Sequence, residues 1–218
     1  MTTDNRVGAT DIVDVALTTD DALTLEGEFA AGSGPGAGMA IVLCHPHPQY
    51  GGTMRSFVTS VLFAELPAAG YPCLRFNFRG VENSEGAYSE GDKEPRDVIA
   101  AIDALRELVP AAPIALVGWS FGADMALSVI DPRVEGWIAI APPLRFATAY
   151  AAATDPRPKH LVLAEHDEFR APVDVQHVVS DWSATTVAVV PGASHFFIGR
   201  TDRVVTETRT GLAEFATR

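Results

Sequence analysis

Cysteine is nearly missing from this chain: Cys44 and Cys73 are the only two in 218 residues. Both sit in apolar runs, so buried free thiols are expected rather than a disulfide framework. Long hydrophobic stretches are missing too. The longest hold about six residues, the length of a buried strand, against the ~18 a membrane span needs. The first ten residues lack the apolar segment of a secretory signal, so a reducing cytoplasm is the expected location. Positive charge is scarce: 16 Lys+Arg stand against 28 Asp+Glu, a net charge of −12. No basic cluster offers a footprint for a phosphate backbone, and nucleic acid is not expected as a partner. No G-x-x-x-x-G-K-[ST] loop occurs. The Gly32–Gly38 stretch leads into a strand and carries Pro35, so it reads as a loop and not as a dinucleotide fingerprint.

What remains is a chain with 47% hydrophobic and 20% charged residues. That balance is too apolar for disorder and sufficient for one core, and a single domain over 1–218 is expected. Two alternating segments, Ile12–Thr18 and Leu23–Phe29, flank Thr19-Asp-Asp21 and read as a hairpin half-buried on one face. After them the apolar runs become continuous: 39–44, 72–77, 114–118, 137–141, 161–164 and 186–190. Continuous runs are the mark of parallel strands covered on both faces. Helical patterns lie between them, near 53–67, 93–109, 121–130, 172–181 and 201–216, with a short helix expected at 146–153. The expected fold is α/β, with a mainly parallel eight-stranded sheet flanked by helices.

Gly118-Trp-Ser-Phe-Gly122 joins the apolar strand before it to the helical stretch after it. A turn that sharp strains the backbone of its central residue and leaves no room for side chains at its flanks. Ser120 would then stand exposed above the sheet, with a helix N-terminus behind it. A serine hydroxyl needs a general base that is itself oriented by a third group. The run 186–190 is followed by Pro-Gly-Ala-Ser-His195, and His195 is the expected base. The run 161–164 is followed by Glu165-His-Asp-Glu168. Any of these three carboxylates can reach an imidazole from there, and Asp167 is favoured because it lies deeper in the loop than Glu165 and Asp is the commoner partner. Negative charge developing on a carbonyl oxygen calls for two N–H donors. Phe121, after the nucleophile, is the first. His47 is the second, with Gln49 next, because Pro46 and Pro48 have no N–H to give. Tyr50, Phe146, Phe169, Phe196 and Phe197 are candidate pocket aromatics, with Phe121 beside them. His45 and His47 have no third ligand at a suitable spacing. No metal is expected there, and His45 reads as a hydrogen-bonded residue beneath its loop.

The elbow, the order Ser120–Asp167–His195 and the loop placement resemble the α/β-hydrolase superfamily across essentially the whole chain. More narrowly, Cys44-His-Pro-His-Pro-Gln-Tyr-Gly-Gly-Thr-Met54 and Arg75-Phe-Asn-Phe-Arg-Gly-Val81 are similar to a small bacterial family of lidless hydrolases. That family lies close to the dienelactone hydrolase-like enzymes and is generally assigned as esterases. Glu82 stands where its loop carries glycine, which implies a changed substrate edge. The resemblance implies an α/β-hydrolase fold without a large lid and a carboxylesterase-like serine hydrolase acting through an acyl-enzyme. Small-molecule esters are the expected substrates, no cofactor or membrane is expected, and a monomer or homodimer would carry the activity. Activity is expected to fall as the pH drops through about 6–7, where an imidazole base takes up a proton. A thioesterase or small peptidase would use the same machinery, and a non-catalytic binder would keep only the fold.

Overall fold

Strands that both faces of a sheet bury show no polar alternation, and the centre of this chain is built from them. The computed structural model describes residues 11–33 and 38–217. The first ten residues and 34–37 of the Gly-rich loop lie outside the described residues. In chain order the elements are β1 (Ile12–Thr18), β2 (Thr24–Ala30), β3 (Ala40–Cys44), α1 (Phe57–Ala68) and β4 (Cys73–Phe76). Next come α2 (Glu94–Leu108), β5 (Ile114–Trp119), α3 (Phe121–Ser128) and β6 (Val134–Ile140). The chain ends with β7 (Lys159–Ala164), α4 (Pro172–Val178), β8 (Thr185–Val190) and α5 (Thr201–Ala216).

All eight strands join one sheet in the order β1-β2-β4-β3-β5-β6-β7-β8. β2 runs antiparallel to both its neighbours, and every other pairing is parallel. β3 shows why its run is wholly apolar. Ala40, Val42 and Cys44 enter the core under α2 and α3, and Ile41 and Leu43 enter the one under α1 and α5. Each helix closes its own side: Val98, Ile102 and Leu105 of α2 on one face, Val58, Leu62 and Leu66 of α1 on the other. Cys44 and Cys73 are buried free thiols.

β1 and β2 form the expected hairpin, but β1 is the sheet edge, and only Leu17 on it is fully buried. Ile12 and Val13 stay exposed there because, among the described residues, no strand pairs with the outer edge of β1. The short helix expected at 146–153 shrinks to one 3₁₀ turn, Ala151–Thr154. The reason lies upstream. The buried carboxylate of Asp124 takes the N–H groups of Leu144, Arg145 and Phe146, and the left-handed Leu144 (φ 51°) and extended Tyr150 (φ −103°, ψ 98°) break the helical path on either side. No helix among the described residues is long and apolar enough to cross a membrane.

Sheet order reverses direction around β3, whose neighbours are β4 on one side and β5 on the other. Crevices at the carboxyl ends of strands beside such a switch are where open α/β sheets hold ligands. The loops that leave β3, β5, β6, β7 and β8 all meet there.

Candidate active site

β5 passes into α3 through a single residue, Ser120, with φ 55° and ψ −123°. That region is costly for a residue with a side chain, at roughly 1–3 kcal/mol, and persists only where surroundings enforce it. Both flanking glycines do so. A Cβ on Gly118 would stand 2.3 Å from the Gly122 carbonyl oxygen. One on Gly122 would meet the carbonyls of Cys44 and His45 at 2.4 and 2.5 Å. Strand, helix and the loop after β3 therefore close on one another with only backbone between them.

The Ser120 hydroxyl is 2.9 Å from Nε2 of His195. His195 Nδ1 lies 2.8 Å from Oδ2 of Asp167. Asp167 is oriented in turn by its other oxygen, which accepts the N–H groups of Phe169 and Arg170 at 2.9 and 3.2 Å. Ser120 and His195 are 8% and 4% exposed, so the pair sits at the floor of its crevice. The three acidic residues after β7 have separate employments. Glu165 accepts from the Gly192 N–H at 2.7 Å, and Glu168 accepts from the His195 N–H at 3.0 Å. Both hold the histidine loop, and Asp167 alone meets the imidazole. Trp119 adds a third hold, donating from Nε1 to the His195 carbonyl at 3.2 Å. His166 lies on the surface beside Glu165.

The His-Pro-His-Pro loop splits its two imidazoles between different tasks. His45 is fully buried, with Nε2 accepting the Phe78 N–H at 3.1 Å and Nδ1–H donating to the Pro46 carbonyl at 2.6 Å. The donors fix the tautomer, and burial pulls its pKa down to about 4. His47 faces the other way. Its Nδ1 accepts the Gln49 N–H at 3.2 Å, which leaves Nε2–H to donate to the Tyr88 hydroxyl at 2.9 Å. Burial and the Arg145 charge lower its pKa. Burial, with the charge of Glu94, pushes the Tyr88 phenol up to about 12. Two imidazoles so employed do not converge on a shared ligand. Because the Gln49 N–H serves His47, the backbone N–H of His47 is the one left over; it has no partner among the described residues. Phe121, as the first residue of α3, likewise keeps its N–H outside the helical ladder.

A cavity of about 450 Å³ opens over Ser120 and His195. Tyr50, Phe146, Phe169 and Phe196 line it, joined by Trp119 and Arg145, which the sequence did not single out. Phe197 does not line it. Its φ of 52° turns the ring down into the core, where it is fully buried. Phe121 is buried as well, with its ring against Phe78, Tyr88 and Phe146. Glu82 is also away from the cavity lining, contrary to the changed substrate edge expected of it. It occupies a left-handed position, φ 49°, that suits glycine. Its carboxylate accepts from Asn77 at 2.8 Å and pairs with Arg55 at 3.2 Å. Asn77 then receives the Met54 N–H at 2.7 Å, so Glu82 acts on the segment leading into α1.

The profile of the "Alpha/beta hydrolase family" matches residues 41–155, which include Ser120 and both imidazoles of the His-Pro-His-Pro loop. An uncharacterized protein of Rickettsia prowazekii (strain Madrid E) is 34% identical over 190 residues, covering 82% of this chain and 79% of that protein. An alpha-beta serine hydrolase homologue from Coxiella burnetii superposes with a TM-score of 0.83 at 30% identity, covering 94% of this chain and 99% of the other. The alpha/beta serine hydrolase without lid from Xanthomonas campestris gives 0.85 over 97% and 98% of the two chains; at 24% identity it supports the fold alone. With its eight-stranded sheet, its strained Ser120 turn and these relatives, the chain belongs to the alpha/beta hydrolase family.

Proposed function

We propose that this chain is a serine hydrolase that cleaves carboxylic esters of small substrates, with Ser120 as nucleophile, His195 as general base and Asp167 as the group that orients it. The observation carrying the reading is the unbroken hydrogen-bonded chain from Asp167 through His195 to a strained Ser120 at the floor of a cavity. Ser120 Oγ attacks the ester carbonyl carbon while His195 Nε2 takes its proton. The imidazolium then gives that proton to the departing alkoxide, leaving an acyl-enzyme. Water, deprotonated by the same nitrogen, attacks the acyl carbon and restores Ser120. The N–H groups of Phe121 and His47 stabilise the oxyanion in both halves of the reaction. Losing one such donor typically costs about 10²–10³ in rate. A single catalytic domain spanning 1–218 belongs to this proposal.

Intact-protein mass after exposure to a fluorophosphonate tests it. One adduct is expected on the wild type, none on Ser120→Ala, and strongly slowed labelling on His195→Ala. An unlabelled wild type would sink the reading and leave a protein that binds ligands in this cavity without reacting.

A further inference from the structure

The cavity over Ser120 lies in a protein with twelve more acidic than basic side chains, yet among the described residues no aspartate, glutamate or lysine lines it. Its only permanently charged lining residue among those described is Arg145. Elsewhere this surplus of carboxylates is put to use. Arg55, Arg75, Arg79, Arg96, Arg133 and Arg157 each pair with one, whereas Arg145, like Arg106, Arg170, Arg200, Arg203 and Arg209, forms no ion pair among the described residues, and of these six it alone lines the cavity. The guanidinium lies over the Phe146 ring, with Cζ 5.0 Å from its centroid. Stacking of that kind covers the face of the fork and leaves its N–H edge free to meet a planar anion.

Its position relative to the chemistry is set by the same ring. Phe146 stands 4.8 Å from the His47 ring and 5.4 Å from the Phe121 ring, centroid to centroid. One aromatic side chain thus separates Arg145 from the two residues whose N–H groups would hold the ester carbonyl. The backbone beneath it is unusually well fixed. Asp124, fully buried, accepts the N–H groups of Leu144, Arg145 and Phe146 at 2.9, 2.9 and 3.0 Å, and the Tyr150 hydroxyl at 3.0 Å. A buried carboxylate committed to three consecutive N–H groups rigidifies the segment that presents Arg145, which is how a recognition group is kept in place. The Arg145 charge reaches into the site, since it helps to lower the pKa of His47.

We propose that Arg145 determines specificity by pairing with an ionised carboxylate at the far end of the acyl chain, so that the preferred substrates are half-esters of short dicarboxylic acids. The inference rests on the serine-hydrolase reading for its chemistry, but its recognition step is separable from turnover. Planar carboxylate and planar guanidinium fit bidentately, and the apolar walls between them and Ser120 suit a short methylene chain.

The test compares p-nitrophenyl hydrogen glutarate with p-nitrophenyl 5-methylhexanoate, in which an isopropyl group replaces the carboxylate. In the wild type, kcat/KM should favour the half-ester, and the preference should shrink as salt is raised. Arg145→Ala should lower the half-ester to neutral-ester ratio about tenfold, and Arg145→Lys should keep part of it. A ratio unchanged within about twofold in Arg145→Ala overturns the proposal. Binding provides an arm that needs no turnover. Monomethyl glutarate, titrated calorimetrically into Ser120→Ala protein, should bind about tenfold more weakly once Arg145→Ala is added. Equal binding, or none in either, would also overturn it. Absence of both fluorophosphonate labelling and ester turnover in the wild type would instead strike the hydrolase reading, with the calorimetric comparison still deciding the role of Arg145.

Discussion

His45 should make the stability of this protein depend on pH between about 6.5 and 4. Both its nitrogens are committed in the neutral form, Nδ1–H to the Pro46 carbonyl and Nε2 to the Phe78 N–H. A second proton on Nε2 would break the bond from Phe78 and place a charge in a fully buried site edged against the Phe78 ring, 4.8 Å away. The unfolded imidazole takes its proton near 6.5, the folded one only near 4. Between those values the unfolded state binds more protons, so stability falls as the pH falls. The contribution is complete above about pH 6.5 and shrinks through the folded value. A difference of about 2.5 units corresponds to roughly 3 kcal/mol when fully lost, of which about 2.5 kcal/mol has gone by pH 4.5.

Urea unfolding of wild type and His45→Gln at pH 7.5, 6.5, 5.5 and 4.5 isolates this group, because the carboxylates common to both proteins cancel in the difference. Glutamine offers the Phe78 N–H an acceptor without a titratable ring, so the variant retains the loop contact that matters most. The stability gap between the two proteins should narrow by about 2.5 kcal/mol from pH 7.5 to pH 4.5, with most of the change below pH 6.5. A gap that stays constant across the series would mean His45 is not held neutral by its surroundings. The assignment of its two hydrogen bonds would then be wrong.

Arg79→Ala should cost about 3–5 kcal/mol in urea unfolding, because it leaves Asp97 buried without the guanidinium that meets it at 2.6 Å, and a loss below about 1 kcal/mol would contradict that burial. Tyr88→Phe removes the hydroxyl that receives the His47 Nε2–H at 2.9 Å; it should lower kcat for a p-nitrophenyl ester about three- to tenfold with KM little changed. A rise in KM with kcat intact would place Tyr88 in ground-state binding and not in the alignment of His47.

Sequence legibility followed the range over which each signal acts. Continuous apolar runs report burial on both faces locally, and all eight strands were found within a few residues of their bounds. The Ser120 turn was readable because its steric demand is confined to five consecutive residues, Gly118 to Gly122. Placing His195 and Asp167 needed only strand order, since each follows its strand by a few residues. Misreadings arose where a distant group decided the backbone. Residues 146–153 have helical composition, but Leu144 at φ 51° and the extended Tyr150 break the helical backbone, and Asp124, distant in sequence, holds the segment between them. Phe197 has the chemistry of a pocket aromatic, yet a left-handed φ sends it to the core.

The roles that sequence did not reveal are of one kind. Asp124, Tyr88, Glu94, Glu165 and Glu168 hold loops to one another across the top of the sheet, and no periodicity or motif announces such a role. Glu94 is fully buried and spends its carboxylate on the Ser89 N–H and hydroxyl and the Gly91 N–H. That fixes the loop from which Tyr88 reaches His47. Asp124 does the same for the segment carrying Arg145 and Phe146. Each carboxylate would be expensive to bury alone and is sustained by several donors converging on it. A lidless site has no closing segment to assemble it when substrate arrives, so its donors must already stand in place. In this fold that requirement falls on buried acids such as Asp124 and Glu94, which stand outside the cavity lining, and a chain rich in acidic residues has them to use.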